Sequence, residues 1–203
     1  MTTFVLATAN PDKAREIRDV LTVAGPPITL EQRDPTIPEV DEAGETLEDN
    51  ARLKAVALCE ATGLPAIADD TGLEVDALGG EPGVRSARFA GDDATDADNC
   101  ALLIKRLAGV PEDERSARFS TVAMARWPDG REVAAIGSVE GMIIDAARGA
   151  SGFGYDPVFV PDDGDGRTFA EMSAVEKHLI SHRGRAFRTL AEGLRVLAEV
   201  GDV

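Results

Sequence analysis

The chain has 203 residues, of which 43% are hydrophobic and 29% are charged. That composition is typical of a folded protein with one large domain or two small lobes, and it argues against disorder. The 37 acidic residues exceed the 21 Lys and Arg residues, so the formal net charge is −16 at pH 7. Such a surface repels nucleic acids at long range, although local cations or a metal ion can still bind a small anionic substrate.

The cysteines and the apolar segments exclude further classes of protein. Cys59 and Cys100 lack CxxC or His-rich spacing, so neither a disulfide framework nor a structural zinc site is expected. No segment approaches the roughly 20 apolar residues that span a bilayer, and residues 1–4 lack the basic start of a signal peptide. We expect a cytoplasmic protein with no membrane partner.

The hydrophobic pattern predicts alternating strands and helices in a single domain over residues 1–203, without repeats or a separable linker. In the first half we expect a strand (3–9), a helix (11–24) capped by Asn10, an acidic loop (34–44), a helix (46–62), a short strand (65–68) and a long loop (79–93). In the second half we expect a helix (96–107), a hairpin (117–139) with a Pro-Asp-Gly turn, a glycine-rich loop (148–155), a strand (157–160) and a terminal helical segment that opens at Ser173.

The first candidate site lies where the first strand meets the first helix. It comprises Thr8, Ala9, Asn10, Pro11, Asp12 and Lys13. A helix N-terminus with backbone N–H groups and a nearby lysine favours phosphate binding. The alternative is an ordinary Asn cap beside a solvated lysine.

A second candidate is the pair Asp69-Asp70, which the pattern places just past an apolar strand. Adjacent strand residues point to opposite faces, so one of the two carboxylates is expected to face a ligand. There it can bind Mg²⁺ or orient water, with a further oxygen ligand from the acidic loop 39–42. The alternative is an Asp that caps the turn before Thr71 and Gly72.

Two further clusters lie in the C-terminal half. Phe153, Gly154, Tyr155 and Asp156 follow Gly152 and combine backbone freedom with two rings that can stack on a base. Lys177, His182 and Arg183 add cations to an acidic protein. The alternatives are a loop stiffened for stability and a basic surface stripe continued by Arg185 and Arg188.

Common catalytic signatures are absent from the sequence: GxxxxGK[ST], GxGxxG after a strand, HExxH and GxSxG do not occur. No Glu-rich helix of the Nudix type is visible either. The chain therefore lacks the motifs of most common nucleotide-binding, protease and esterase mechanisms.

Taken together, the motifs resemble those of the inosine/xanthosine triphosphate pyrophosphatases, which remove non-standard purine nucleotides. The resemblance covers nearly the whole chain. Its residues are Thr8-Ala9-Asn10-Pro11-Asp12-Lys13, Asp49-Asn50-Ala51, Ala68-Asp69-Asp70-Thr71-Gly72-Leu73, Gly79-Gly80-Glu81-Pro82-Gly83, Ser86-Ala87-Arg88, Gly152-Phe153-Gly154-Tyr155-Asp156-Pro157, Lys177 and Ser181-His182-Arg183.

The resemblance implies an α/β fold with two lobes around a long, twisted, mixed β-sheet, flanking helices and an active-site cleft between the lobes. It also implies a homodimer that uses Mg²⁺ to hydrolyse ITP, dITP or XTP to the monophosphate and pyrophosphate.

The same resemblance assigns roles to individual residues. Asp70 would be the catalytic carboxylate and a metal ligand, with Thr71 beside the substrate. Residues Thr8 to Lys13, and Lys177, would hold the phosphates. Residues Phe153 to Asp156, with His182 and Arg183, would surround the base. The second acidic metal ligand would be Asp41 or Glu42. The choice between them stays open because the segment Asp41-Glu42-Ala43-Gly44 departs from the usual Glu-Glu-Thr-Gly.

Two other functions stay open at this point. A Maf-like pyrophosphatase for modified pyrimidine or 7-methylguanine nucleotides would share the fold, but Ser181-His182-Arg183 argues against it. A non-catalytic nucleotide sensor is disfavoured by the presence of Asp69, Asp70 and the lysines.

Overall fold

The computed structural model describes residues 2–199, which form an open, mixed α/β sheet with flanking helices. In this range the strands are β1 (Thr2–Leu6), β2 (Ile28–Gln32), β3 (Ala66–Val75), β4 (Pro82–Gly83), β5 (Ser116–Arg126), β6 (Glu132–Ile143) and β7 (Phe159–Pro161). The helices are α1 (Pro11–Ala24), α2 (Leu47–Thr62), α3 (Asp96–Arg106), α4 (Ala174–Ile180) and α5 (His182–Glu199).

The strand order in the sheet is β2-β1-β3-β5-β6-β7, and β4 pairs with β3. Strand β1 runs parallel to both β2 and β3, whereas β3–β4 and β6–β7 are antiparallel. The fold class predicted from the sequence, a mixed α/β sheet, is therefore confirmed. Among the helices of residues 2–199, none has the combined length and apolar character that crossing a membrane requires.

The chain divides into two compact units. Of the described residues, unit 1 comprises 2–70, 121–137 and 183–199, and unit 2 comprises 71–120 and 138–182. The strands β3, β5 and β6 each contribute residues to both units. This division has no counterpart in the composition of the sequence, because no linker separates the two sets of residues.

In unit 1, helices cover both faces of the sheet. Phe4 and Leu6 of β1 belong to one buried cluster with Ile17 of α1 and Phe187 of α5. Val5, between them in the chain, belongs to a second cluster formed with α2. Alternate strand residues point to opposite faces, so α1 and α5 lie on one side of the sheet and α2 on the other.

Unit 2 has a single core that is rich in aromatic rings. Phe119 lies edge-on to Phe159 with ring centroids 4.8 Å apart, and Phe159 lies 5.3 Å from Phe169. Leu103 of α3 and Tyr155 are buried in the same cluster. Such edge-to-face and tilted rings add a small attraction to the free energy of burying their area.

Most of the predicted element boundaries are confirmed. Asn10 caps α1 by accepting hydrogen bonds from the N–H groups of Asp12 and Lys13. Ser173 and Glu176 form a complete capping box at the start of α4. The hairpin of β5 and β6 is present, and the N–H of Trp127 donates to the carbonyl of Arg131 across its turn.

Two expectations about local structure were wrong, and one strand had not been predicted. Strand β2 was not anticipated. The third strand does not end before Asp69-Asp70 but continues through both residues to Val75, because their carboxylates have buried partners of opposite charge. The C-terminal helical segment is interrupted at Ser181, which has an extended backbone (φ −68°, ψ 155°) and separates α4 from α5.

Candidate functional site

The alternation of β3 directs its two adjacent aspartates to different helices of unit 1. Ile67 belongs to the cluster with α1 and α5, whereas Ala66 and Ala68 belong to the cluster with α2. Asp69 therefore shares a face with Ile67, and Asp70 shares a face with Ala68. Both aspartates are buried, so the strand places two carboxylates in two different electrostatic environments.

Asp69 lies in a buried network of charges with α1 and α5. Its Oδ2 accepts a hydrogen bond from Arg183 Nη2 at 3.2 Å and lies 3.6 Å from Lys13 Nζ. Arg183 is 2% exposed, and its Nη1 donates to Glu16 Oε2 at 2.7 Å. Burial alone would raise the pKa of Asp69, but the charges of Lys13 and Arg183 outweigh it and hold the pKa below its usual value.

Asp70 has different hydrogen-bond partners, and both lie on α2. Its Oδ1 accepts a hydrogen bond from Lys54 Nζ at 2.7 Å, and its Oδ2 accepts one from Asn50 Nδ2 at 3.3 Å. Lys54 Nζ also lies 3.1 Å from Glu42 Oε1. Burial raises the pKa of Asp70 despite the opposing charges of Lys54 and Lys13.

The two neighbouring carboxylates thus have pKa values displaced in opposite directions. Asp69 is held as an anion by two cations, and Asp70 has the greater affinity for a proton. Titratable groups separated in this way are a common arrangement in acid–base catalysis, because one group stays charged while the other exchanges a proton. The two aspartates therefore differ in the protonation state that their surroundings favour.

The junction of β1 and α1 brings the first predicted motif into unit 1. Asn10 Oδ1 accepts from the N–H groups of Asp12 and Lys13 at 2.9 Å and 3.1 Å. Thr8 Oγ1 accepts from the N–H of Asn10 at 3.1 Å. Ala9, Asn10 and Pro11 are exposed, and 21% of the Lys13 side chain is exposed next to Asp69. This turn presents Lys13 partly to solvent at the start of a helix.

The acidic loop distinguishes the two carboxylates that the sequence left as alternatives. Glu42 shares Lys54 with Asp70, and 30% of its side chain is exposed. The backbone carbonyl of Asp41 accepts from the N–H of Ala43 at 2.9 Å. The side chain of Glu42 therefore contacts the Lys54 ammonium group that Asp70 also contacts.

A divalent cation has suitable donors here. Among residues 2–199 no cluster of three or more His, Cys, Asp or Glu side chains has the geometry of a metal site. Asp70 and Glu42 nevertheless both contact one positive charge, the Lys54 ammonium, and Asn50 adds an amide group. Carboxylate oxygens that already share a cation match the hard oxygen ligands that Mg²⁺ prefers.

In unit 2, the loop after Gly152 is organised around Asp156. Asp156 Oδ2 accepts from the N–H of Phe153 at 2.9 Å and from Lys177 Nζ at 2.5 Å. A Cβ on Gly152 (φ +74°) would lie 2.1 Å from the same oxygen, so only glycine fits this turn. Lys177 Nζ also lies 5.0 Å from the centre of the Phe153 ring, within the range of a cation–π contact.

Two more predicted site residues lie in the interior of unit 2. Tyr155 is buried, and its hydroxyl donates to the carbonyl of Ser86 at 2.8 Å. His182 is buried and stacks on Phe119 with ring centroids 4.5 Å apart and planes 15° apart. Thr71 is half-buried on β3.

The structure gives two of the predicted site residues partners within the protein that the sequence did not indicate. Lys177 was assigned to phosphate, and the structure pairs it with Asp156 and Phe153. Arg183 was assigned to the base, and the structure places it against Asp69 and Glu16. Both earlier assignments stay predictions, since contacts within the protein do not test substrate contacts.

Three polar residues of unit 1 were missed as site residues: Glu16, Asn50 and Lys54. Each lies on a helix where the sequence pattern emphasised apolar positions. The available signal was spacing: Lys13 and Glu16 are three residues apart, and Asn50 and Lys54 are four apart, which places each pair on one helical face. Charged or amide groups on the face that carries the apolar positions indicate buried partners.

Comparison with known proteins gives a consistent result along the whole chain. The model of the Ham1 family matches residues 4–193. The chain is 48% identical to a dITP/XTP pyrophosphatase of Streptomyces coelicolor over 199 residues, covering 97% of this chain and 99% of the relative. It is 50% identical to a dITP/XTP pyrophosphatase of Thermus thermophilus over 192 residues, covering 94% and 91%.

Solved structures are similar in fold as well. A HAM1 protein from Coxiella burnetii superposes with a TM-score of 0.86 at 37% identity, covering 96% of this chain and 99% of that one. A nucleoside-triphosphatase, described as a dITP/XTP pyrophosphatase, from Mycobacterium abscessus gives a TM-score of 0.70 at 38% identity, with 98% and 97% covered. The sequence match and the shared fold together show that this chain belongs to the Ham1 family.

Proposed function

We propose that this chain is a nucleoside-triphosphate pyrophosphatase that hydrolyses non-standard purine triphosphates such as dITP, ITP and XTP. The products are the nucleoside monophosphate and pyrophosphate. The observation that carries the proposal is the pair of adjacent, buried aspartates on opposite faces of β3, each beside a lysine. The names of the relatives support the choice of substrate.

Asp70 is the group that acts on water in this proposal. Its burial and its position beside Lys54 suit a carboxylate that orients a water molecule for attack on the α-phosphorus. Hydrolysis by direct attack of water needs no covalent nucleophile, which agrees with the lack of a serine or cysteine catalytic motif in the sequence.

The lysines of unit 1 balance the charge of the triphosphate. Lys13, partly exposed at the start of α1, is placed to contact phosphate oxygens, and the N-terminus of α1 adds a favourable dipole. Asp69 and Arg183 hold Lys13 in a defined environment through a buried network. Burial, which Asp69 only partly offsets, lowers the pKa of Lys13.

Mg²⁺ is part of the proposal, and Asp70 and Glu42 are the residues that would hold it. The ion, when bound, would supply positive charge that polarises the phosphoryl oxygens. Lys54, which both carboxylates contact, would then be available to a phosphate oxygen.

The loop 152–156 of unit 2, with His182 and Arg183, is proposed for the purine base, as the resemblance implies. Phe153 supplies a ring for stacking, and Asp156 and Lys177 set the position of that ring. A homodimer in the cytoplasm, without nucleic-acid or membrane partners, completes the proposal.

The test is a nucleotide panel with pyrophosphate and orthophosphate measured separately. Turnover of dITP, ITP and XTP well above that of ATP and GTP, with pyrophosphate as the first product and loss of activity in EDTA, is the expected result. Primary release of orthophosphate would contradict the assignment. Preference for modified pyrimidine or 7-methylguanosine triphosphates would indicate a Maf-like enzyme, and tight binding without turnover would indicate a sensor.

The Asp70→Asn variant tests the central residue. We expect kcat to fall on the order of 10²-fold or more while nucleotide binding, measured by calorimetry, changes little. Asp129→Asn is the matched control, because it removes a carboxylate from the exposed turn between β5 and β6. Equal turnover by Asp70→Asn and the control would show that another group orients the attacking water.

A further inference from the structure

Helix α3 contacts the loop 152–156 through two side chains that lie one helical turn apart. Asp96 Oδ2 accepts a hydrogen bond from the N–H of Gly154 at 2.7 Å. Cys100 Sγ donates one to the carbonyl oxygen of the same glycine at 3.3 Å. Residues spaced four apart share a helical face, so α3 holds both polar groups of one loop residue.

The two hydrogen bonds from α3 fix the backbone of the loop at Gly154. Its φ is +60°, a left-handed conformation that most side chains rarely adopt. It lies between Phe153, whose N–H donates to Asp156, and Tyr155, whose hydroxyl donates to the carbonyl of Ser86. Those neighbouring hydrogen bonds use other atoms, so they do not substitute for the two that reach Gly154.

The chemistry of the two α3 side chains suits a permanent anchor. Burial raises the pKa of the Cys100 thiol to about 11, so the sulfur keeps its proton and donates at neutral pH. A carboxylate that accepts a backbone N–H makes a strong, charge-assisted hydrogen bond. Asp96 is exposed, so its substitution leaves the apolar core of unit 2 intact.

We propose that Asp96 is a positioning residue for recognition of the purine base, acting through Gly154 and assisted by Cys100. It holds the loop in the conformation that presents the Phe153 ring before substrate arrives. Preorganisation of this kind lowers the entropic cost of binding. The inference rests on the proposed function, in which this loop contacts the base.

The competing explanation is that Asp96 only stabilises α3. Asp98 provides a matched control, because it belongs to the capping box with Thr95 at the same helix end and carries the same charge. Its carboxylate accepts hydrogen bonds from the N–H and the hydroxyl of Thr95 rather than from the loop. Asp98→Ala therefore weakens the helix end without removing the acceptor for Gly154.

The experiment compares Asp96→Ala, Asp96→Asn and Asp98→Ala with wild type. For Asp96→Ala we expect KM for dITP to rise about 10-fold with kcat within about two-fold, since the loss is in substrate binding. Asp96→Asn keeps an oxygen acceptor and should restore KM to within about two-fold. Competitive inhibition by inorganic tripolyphosphate, which has no base, should be equal in all four proteins, whereas inhibition by inosine monophosphate should weaken only in Asp96→Ala.

Amide hydrogen exchange of a peptide covering residues 150–156 measures how firmly the loop is held, and it does not depend on enzymatic activity. Faster exchange in Asp96→Ala, with wild-type exchange in Asp98→Ala, is expected. If Asp96→Ala keeps the wild-type KM, or if Asp98→Ala raises KM equally, the positioning role is wrong. A wild-type enzyme inactive on every triphosphate would instead overturn the proposed function, and the exchange data would still report on the anchor.

Cys100 gives a second test through the same glycine. Cys100→Ala removes the donor, and Cys100→Ser keeps one, so KM should rise about 3-fold in the first variant and less in the second. Because both anchors act on Gly154, the effects of Asp96→Ala and Cys100→Ala should not be additive. Additive effects would show that Cys100 acts elsewhere.

Discussion

The charged groups of unit 1 and unit 2 are held in different ways. In unit 1, Asp69, Asp70 and their cations all lie on β3 and on helices, and each carboxylate faces at least one buried or half-buried cation. In unit 2, Phe153 and Asp156 lie on a glycine-containing loop, which the ion pair of Asp156 with Lys177 of α4 and hydrogen bonds to Asp156 and Gly154 hold in place. Asp69 and Asp70 thus lie on a strand, whereas Phe153 and Asp156 lie on a supported loop.

The difference has an energetic consequence. A buried ion network on packed helices and a strand is costly to disrupt, because removal of one partner leaves a desolvated charge. Removal of one hydrogen bond to the loop, such as that between Asp96 and Gly154, costs less. Substitutions in the ion network of unit 1 should therefore change stability and turnover strongly, and substitutions of Asp96 or Phe153 should change mainly KM.

The largest effect on stability is expected for Asp69→Asn. This change leaves Arg183 and Lys13 without the carboxylate charge they share, and we expect the free energy of unfolding at pH 7 to fall by about 3–5 kcal/mol. Urea denaturation of wild type and Asp69→Asn measures this difference in the free energy of unfolding. Asp70→Asn should cost much less, because Lys54 still pairs with Glu42 and because burial already disfavours the ionised Asp70.

The stability difference between wild type and Asp69→Asn should depend on pH in a defined direction. The folded-state pKa of Asp69 is lowered, so its contribution to stability is complete above the ordinary pKa of an aspartate, about 4, and is lost as the pH falls further. The difference between wild type and Asp69→Asn should therefore shrink in acid. A difference that stayed constant down to the acid transition would mean that Asp69 is not held as an anion.

An intermediate effect should distinguish Glu42 from Asp41 in the acidic loop. Glu42→Gln should raise the Mg²⁺ concentration for half-maximal activity about 10-fold, because Glu42 shares Lys54 with Asp70. Asp41→Asn is the matched control and should change this concentration less than about two-fold. The reverse order would make Asp41 the second metal ligand and would require the loop to rearrange.

The smallest effect is expected in the loop of unit 2. Phe153→Leu should raise KM about 5-fold for ITP, XTP and ATP alike, because stacking on a ring does not distinguish one purine from another. Phe89→Leu is a suitable control, since Phe89 also lies near a cation, Arg106, at 5.7 Å but outside the loop. A change in the ratio of ITP to ATP activity in Phe153→Leu would show that the ring takes part in selection.

Local sequence patterns determined much of this protein. The caps at Asn10, Thr46 and Ser173, the Pro-Asp-Gly turn and the helical spacing of apolar residues predicted most elements, because these signals act over a few neighbouring residues. The order of the motifs also pointed to the family, and from it to Asp70 as the central carboxylate.

Only the tertiary structure decided which charges meet. The sequence could not show that Asp69 pairs with Arg183, 114 residues away, or that Lys54 joins Asp70 to Glu42. It also ended the third strand too early, since a run of aspartates disfavours a buried strand unless cations arrive from distant helices. Whether a carboxylate is an anion with a lowered pKa or a proton acceptor with a raised one depends on these long-range partners, and propensities of neighbouring residues carry no information about them.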